Sequence, residues 1–367
     1  MSRGLCIVAA LLLAACGAKT PEERLDGIAT RYVALAMDLD RVRPGEIDAW
    51  FGPDALDTRG EPTDSTFEAI RLAARELGAS FSELATARAE GLRDRIRGLE
   101  AIAAYLEDPT RLNFAEQTQT LYDVPWIEAD AESTRAALAA IEEALPGRGS
   151  ARARVAGLRR RLLIPAEKRQ AVFEAALEEC RERTLARWDL PDGEAIDLEW
   201  TRDVMAAWHS YVGDGRSTLR VNPLAIATVD QAVDVACHEA WPGHHVQFVL
   251  FEAAAGDAGL ALEDRLVLLR TPASALREAA AMVAARLAFT DAERLAFERD
   301  ALFPMAGLDP ADAERYAAVR PQLRYLATTV PSIIRDHEDG QLSDAEAINR
   351  LQGEALIASP RALFAFA

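Results

Sequence analysis

The sequence predicts a mainly α-helical protein carrying one small β-hairpin or sheet near residues 194–223, and three observations lead there. Apolar residues recur at helical spacing over most of the chain, as in Ile28, Tyr32, Ala36 and Leu39. The segments between the connectors are rich in Ala, Leu, Arg and Glu, which favour helix. Strict alternation is confined to Ile196–Trp200 and Ser217–Asn222, flanking the turn signal Val212-Gly213-Asp214-Gly215.

In chain order, the first element is a leader. Arg3, the apolar run Leu5–Leu13 and Leu13-Ala14-Ala15-Cys16 have the layout of a secretory signal, too short to span a bilayer. The last four residues resemble a bacterial lipobox, which implies lipidation of Cys16 after removal of residues 1–15. The expectation is an exported, membrane-anchored lipoprotein facing the periplasm, with Gly17 favouring the outer membrane. Residues 16–24 form a tether. Residues 25–190 are expected to be an N-terminal helical region and 191–367 the region of the chemistry, the two making one continuous domain.

Helices are expected over 21–40, within 66–107, and over 131–145, 149–163 and 167–188, separated by connectors such as Asp108-Pro109 and Pro146-Gly147. The arginines of 152–161 interleave with Leu158 and Leu162, which suits a solvated helix face. Thr228 and Gln231 are spaced as a capping box opening a further helix.

With 41 basic and 59 acidic residues, the formal charge is 41 − 59 = −18. Such a surface repels phosphate backbones and anionic lipids, which argues against nucleic-acid binding and leaves the lipid as the membrane contact. Cys180 and Cys237 remain after the leader and Cys16 are set aside; they either pair or stay as two buried thiols.

Three of the five histidines fall within His238-Glu239-Ala240-Trp241-Pro242-Gly243-His244-His245. Catalytic zinc takes three imidazole or carboxylate ligands and an open position, and a Glu beside the first ligand can act as base toward the water the ion polarises. Pro242 occupies the place of the second ligand in the ordinary HExxH spacing. On a regular helix, residues four apart share a face with a rise of about 6 Å, whereas seven apart rise about 10 Å. Pro242 and Gly243 allow the helix to bulge or break and return a later histidine toward His238.

His244 is the preferred second ligand, with His245 as a supporting donor or substrate-contacting group. A third ligand should come from another helix, and Glu278 in Leu276-Arg277-Glu278-Ala279-Ala280-Ala281 is the candidate, a buried carboxylate wanting a cation on a face narrow enough for close approach. Glu239 is the expected general base. Tyr211, His209 and Tyr325 are the candidates for stabilising an oxyanion, and strand 217–222 for pairing with an extended peptide.

The motif resembles the HExxPGHH hallmark of the bacterial domain-of-unknown-function family 885. Tyr32-Val33-Ala34-Leu35, Ile47-Asp48-Ala49-Trp50-Phe51-Gly52-Pro53, Arg220-Val221-Asn222 and Ala275-Leu276-Arg277-Glu278-Ala279 resemble other parts of that family, so the similarity spans most of residues 25–360. The resemblance implies a multi-helix, zincin- or gluzincin-like metallopeptidase architecture, zinc on His238, His244 and Glu278, and Glu239 as base. The expected function is hydrolysis of peptide or amide bonds in the cell envelope. The aromatic and Gln positions such relatives carry toward the C-terminus have no counterpart in Thr328–Ser332, so the alternative is an inactive metallopeptidase-fold lipoprotein serving as an envelope scaffold.

Overall fold

The computed structural model describes residues 19–81, 84–203, 206–358 and 360, so the leader and Cys16 lie outside the described residues. The chain is mostly helical with two small sheets. No helix among the described residues is long and apolar enough to cross a membrane.

Helix α1 (Pro21–Val42) begins at Thr20, whose hydroxyl accepts from the Glu23 N–H while the Glu23 carboxylate accepts from the Thr20 N–H. Its apolar stripe, including Leu25, Ile28, Tyr32 and Leu39, packs with α2 (Phe67–Gly78), α3 (Ala87–Glu107) and α4 (Phe114–Tyr122). At its end the buried Asp40 carboxylate accepts from the N–H groups of Gly45 and Ile47, at 3.0 and 2.9 Å. That turn launches β1 (Ile47–Trp50). The sequence reading missed β1 because four residues are too few for alternation to register.

Helices α5 (Ala131–Ala144), α6 (Ala151–Arg161) and α7 (Arg169–Leu185) match three expected segments within a few residues. The α6 arginines do more than face solvent: Arg152 donates to Gln352, Arg159 to the Leu356 carbonyl, and Arg161 pairs with Asp312, so α6 grips the C-terminal segments. Strands β2 (Ala195–Trp200), β3 (Ala207–Gly213) and β4 (Arg216–Val221) form a sheet ordered β2–β4–β3, with β2 parallel and β3 antiparallel to β4. Because β4 is central, strand 217–222 has no free edge for an extended peptide, contrary to expectation; the edges are β2 and β3, and β3 is the one that lines the cleft.

Helices α8 (Val229–Glu239) and α9 (His244–Ala258) carry the histidine motif. Gln231 closes its half of the expected cap, its side-chain oxygen accepting from the Thr228 N–H at 3.2 Å. After α9 comes β5 (Leu266–Leu268), which pairs antiparallel with β1, and then α10 (Pro272–Met282). The chain continues through α11 (Ala284–Ala288), α12 (Asp291–Phe297), α13 (Phe303–Ala306), α14 (Pro310–Ala327), α15 (Val330–Glu338) and α16 (Asp344–Gly353).

Two large apolar clusters form the core. One comprises α1–α4 with Leu266 and Leu268 of β5. The other draws on residues from Ala137 to Leu356, thus from both sides of position 190. Helix α8 runs through this second cluster and is held from behind at several points. Tyr316 donates to Asp230 at 2.7 Å, and the buried Arg294, itself paired with Glu298, reaches Asp234 at 2.5 Å. Cys180 of α7 and Cys237 of α8 form a disulfide, which resolves the pairing the sequence left open.

Closing a loop across a sequence separation of 57 residues stabilises the fold by about 4 kcal/mol in the chain-entropy account. Replacing both cysteines by serine is therefore expected to lower the urea midpoint markedly, with the m-value rising as the released unfolded chain expands; an unaltered midpoint would show that the bridge contributes nothing.

Candidate metal centre

The site depends on how the chain passes from α8 to α9. Helix α8 ends at Glu239, Ala240 leaves helical geometry at φ −116° and ψ −98°, the Trp241–Pro242 peptide is cis, and α9 starts at His244. The Gly243 N–H donates back to the Cys237 carbonyl at 3.0 Å. A Cβ on Gly243 would lie 1.7 Å from the His238 carbonyl oxygen, so only glycine permits this return. On a continuous helix His244 would sit about 9 Å along the axis from His238. Instead the two rings meet edge to face with centroids 4.8 Å apart.

Glu278 of α10 completes the group. Its carboxylate lies 3.5 Å from His238 Nε2 and 3.2 Å from His244 Nε2, and one donor atom from each of the three residues falls within 4.8 Å of the others. Donors around a tetrahedral ion with bonds near 2.1 Å stand about 3.4 Å apart, so modest side-chain rotation brings this set to a zinc ion. Two imidazoles and a carboxylate are also the donor chemistry that zinc takes. Glu278 is more than half exposed, not buried as its alanine neighbours suggested: Ala281 is buried but Ala279 and Ala280 face outward. Glutamine 247, one turn beyond His244, donates to the Arg277 carbonyl at 3.1 Å and ties α10 to α9 beside Glu278.

The electrostatics agree with a shared charge. The hydrogen bond from His244 holds the Glu278 carboxyl below its ordinary value. Burial works to lower the His244 ring, but Glu278 and Glu239 outweigh it and the net shift is upward. His238 is depressed, by burial first. Glu239 lies on the same cleft, and burial raises its carboxyl to about 7, opposed by His244 and by the backbone N–H of His209, and assisted by Glu278 and Asp48.

His245 and Tyr211, expected as catalytic groups, point elsewhere. His245 is fully buried with both ring nitrogens engaged, Nε2 at 2.8 Å from Glu194 and Nδ1 at 2.7 Å from the Ser217 hydroxyl. Ser217 also meets His209 Nε2 at 2.8 Å, and Glu194 accepts from Trp241 Nε1, so a buried polar chain binds β4, β3 and the Trp241 turn together. Burial pushes the Glu194 carboxyl up, but the His245 and Trp241 contacts prevail and it lies below its usual range. The Tyr211 hydroxyl donates to Glu252 at 2.6 Å and accepts from the Gly215 N–H at 3.0 Å, closing the β3–β4 turn. Tyr325 packs against the second core cluster. His209 lines the cleft beside His244, but burial drives its ring down to about 3, so it is a neutral packing group.

The cleft around His238, His244 and Glu278 has a volume of about 1200 Å³. Its walls include residues that the sequence reading did not assign: Asp48 of β1, Tyr122 of α4, Trp208 of β3 and Arg277 of α10. Asp48 had appeared only within a family signature. Nothing in its sequence neighbourhood signals that β1 pairs with β5 and so carries it to a site some 190 residues downstream.

No family model matches the chain, and no curated protein matches it. A solved structure titled "The crystal structure of the putative lipoprotein from Colwellia psychrerythraea" aligns over 95% of this chain and 76% of its own, at 15% identity and a TM-score of 0.32.

Gly243→Ala is expected to destabilise the protein by roughly 2 kcal/mol or more through the clash with the His238 carbonyl. It should also weaken metal binding at least ten-fold by parting the two histidines; metal affinity equal to wild type would show that the close approach does not assemble the site.

Proposed function

We propose that the protein is a zinc-dependent hydrolase of peptide or amide bonds, exported and held to the outer membrane by lipid on Cys16 with the folded part facing the periplasm. The observation that carries this reading is the convergence of His238, His244 and Glu278 on one point of a large cleft, with the Glu239 carboxylate beside them. The resemblance of 238–245 to family 885 agrees with it, as does the Cys180–Cys237 disulfide, which suits an oxidising compartment. The acidic charge supports a substrate other than nucleic acid.

Bound to these three ligands, zinc would supply Lewis acidity toward a carbonyl and lower the pKa of water. The chain's own groups supply the rest. Glu239 is shielded and has a pKa near neutrality, which suits a base that accepts a proton from water and later returns it to a leaving amine. The backbone N–H of His209 favours the charged form of that carboxylate. The β3 edge, with Trp208 half exposed on the cleft, gives an extended peptide a backbone to lie along.

A second reading, an inactive scaffold of the same fold, draws support from the engagement of Tyr211, an expected oxyanion donor, and of His245, the expected supporting or substrate-contacting group.

Metal analysis and a peptide-library assay separate the two. Wild type should hold one zinc; His238→Ala should lose it; Glu239→Gln should keep it while hydrolysis falls by about 10² to 10⁴. Stoichiometric zinc without turnover favours the scaffold, and a protein that takes up no zinc sinks the hydrolase reading.

A further inference from the structure

Arg277 stands beside Glu278 on α10 and lines the same cleft. Its side chain is half buried against the Phe248 ring, with the guanidinium carbon 5.9 Å from the ring centroid. Among the described residues its guanidinium donates no hydrogen bond and meets no carboxylate within 4 Å; the side-chain contact at this residue, from Gln247, is accepted by its backbone carbonyl. Other arginines here behave differently. Arg270 on the same wall is bound to Glu46, and the buried Arg294 and Arg320 both grip Glu298. The Asp48 carboxylate, across from Arg277, likewise has no hydrogen bond or ion pair among the described residues; each group feels the other's charge.

A half-buried guanidinium whose donors meet no protein group and reach only the water of the cleft is free to take an anion, and its planar fork fits a carboxylate. The surrounding charges select among anions. Asp48, Glu239 and Glu278 share the cleft, so a singly charged group is tolerated where a phosphate dianion is repelled.

We propose that Arg277 is the carboxylate-binding group of this cleft, receiving either the free C-terminus or an acidic side chain of a peptide and so placing an adjacent amide beside Glu239. The substrate class is thus an anionic peptide. This assignment rests on the zinc-hydrolase reading for its consequence, though the binding itself can be read without turnover.

The test is calorimetric titration of the purified full-length protein, with and without added zinc. The probes are N-acetyl-Ala-Ala as acid and as amide, N-acetyl-Ala-Glu amide against N-acetyl-Ala-Gln amide, and inorganic phosphate. One acid should bind about ten-fold or more tightly than its uncharged partner, and which one identifies the source of the carboxylate. Arg277→Gln should abolish the preference and Arg277→Lys should retain part of it, with unchanged circular dichroism showing that both variants fold. Equal binding of acid and amide, no binding of either, a preference that survives in Arg277→Gln, or phosphate competing as well as the acid would each overturn the proposal. An Arg277-dependent preference in a protein that takes up no zinc leaves the carboxylate site standing and removes the hydrolase; zinc uptake without the preference does the reverse.

Discussion

The approach of Gly243 to the carbonyl of His238 is the constraint on which the site depends. With no Cβ, the chain can lay a backbone N–H on the Cys237 carbonyl and restart a helix at His244, turning six residues of sequence into contact between two imidazoles. Everything behind α8 resists the disturbance this break would otherwise cause. The disulfide, the Arg294–Asp234 pair and the Tyr316–Asp230 hydrogen bond fix the helix that ends in the kink. The His209–Ser217–His245–Glu194 chain fixes the helix that begins after it.

These two sets of contacts divide the histidine cluster by environment. His238 and His244 keep partial access to solvent and share a carboxylate, while His245, one residue on, points to a different face of α9 and is sealed among hydroxyl, carboxylate and indole. Adjacent residues on a helix differ in direction by about 100°. That angle puts one histidine on the cleft and gives the other to the sheet, where its hydrogen bonds to Ser217 and Glu194 hold α9 at the right distance for the first to reach Glu278.

Much of this was legible in the sequence. Helical periodicity marked the helices, though not β1 or β5, the Pro-Gly pair marked the break, and the chemistry of His and Glu pointed to 238, 244 and 278 as a group. Three features were not legible. The role of His245 depends on Ser217 and Glu194, which reach it only through the β2–β4 pairing. The central place of β4 follows from β2 joining it in parallel, a connection that alternation within either strand does not encode. The burial of Glu278 was misjudged because small neighbours permit close packing without requiring it, and α10 uses only Ala281 for that purpose.

The β1–β5 ribbon ties residues 47–50 to 266–268. Through it, one wall of the cleft is supplied by a strand made before the histidine helices α8 and α9 and another by a helix made after them, so neither stretch contains a binding surface of its own. A fragment ending ahead of Leu266 would keep both histidines yet lack Glu278, Arg277 and the partner that seats Asp48. The working unit is therefore the joined chain, and a cut anywhere between these strands divides the cavity itself.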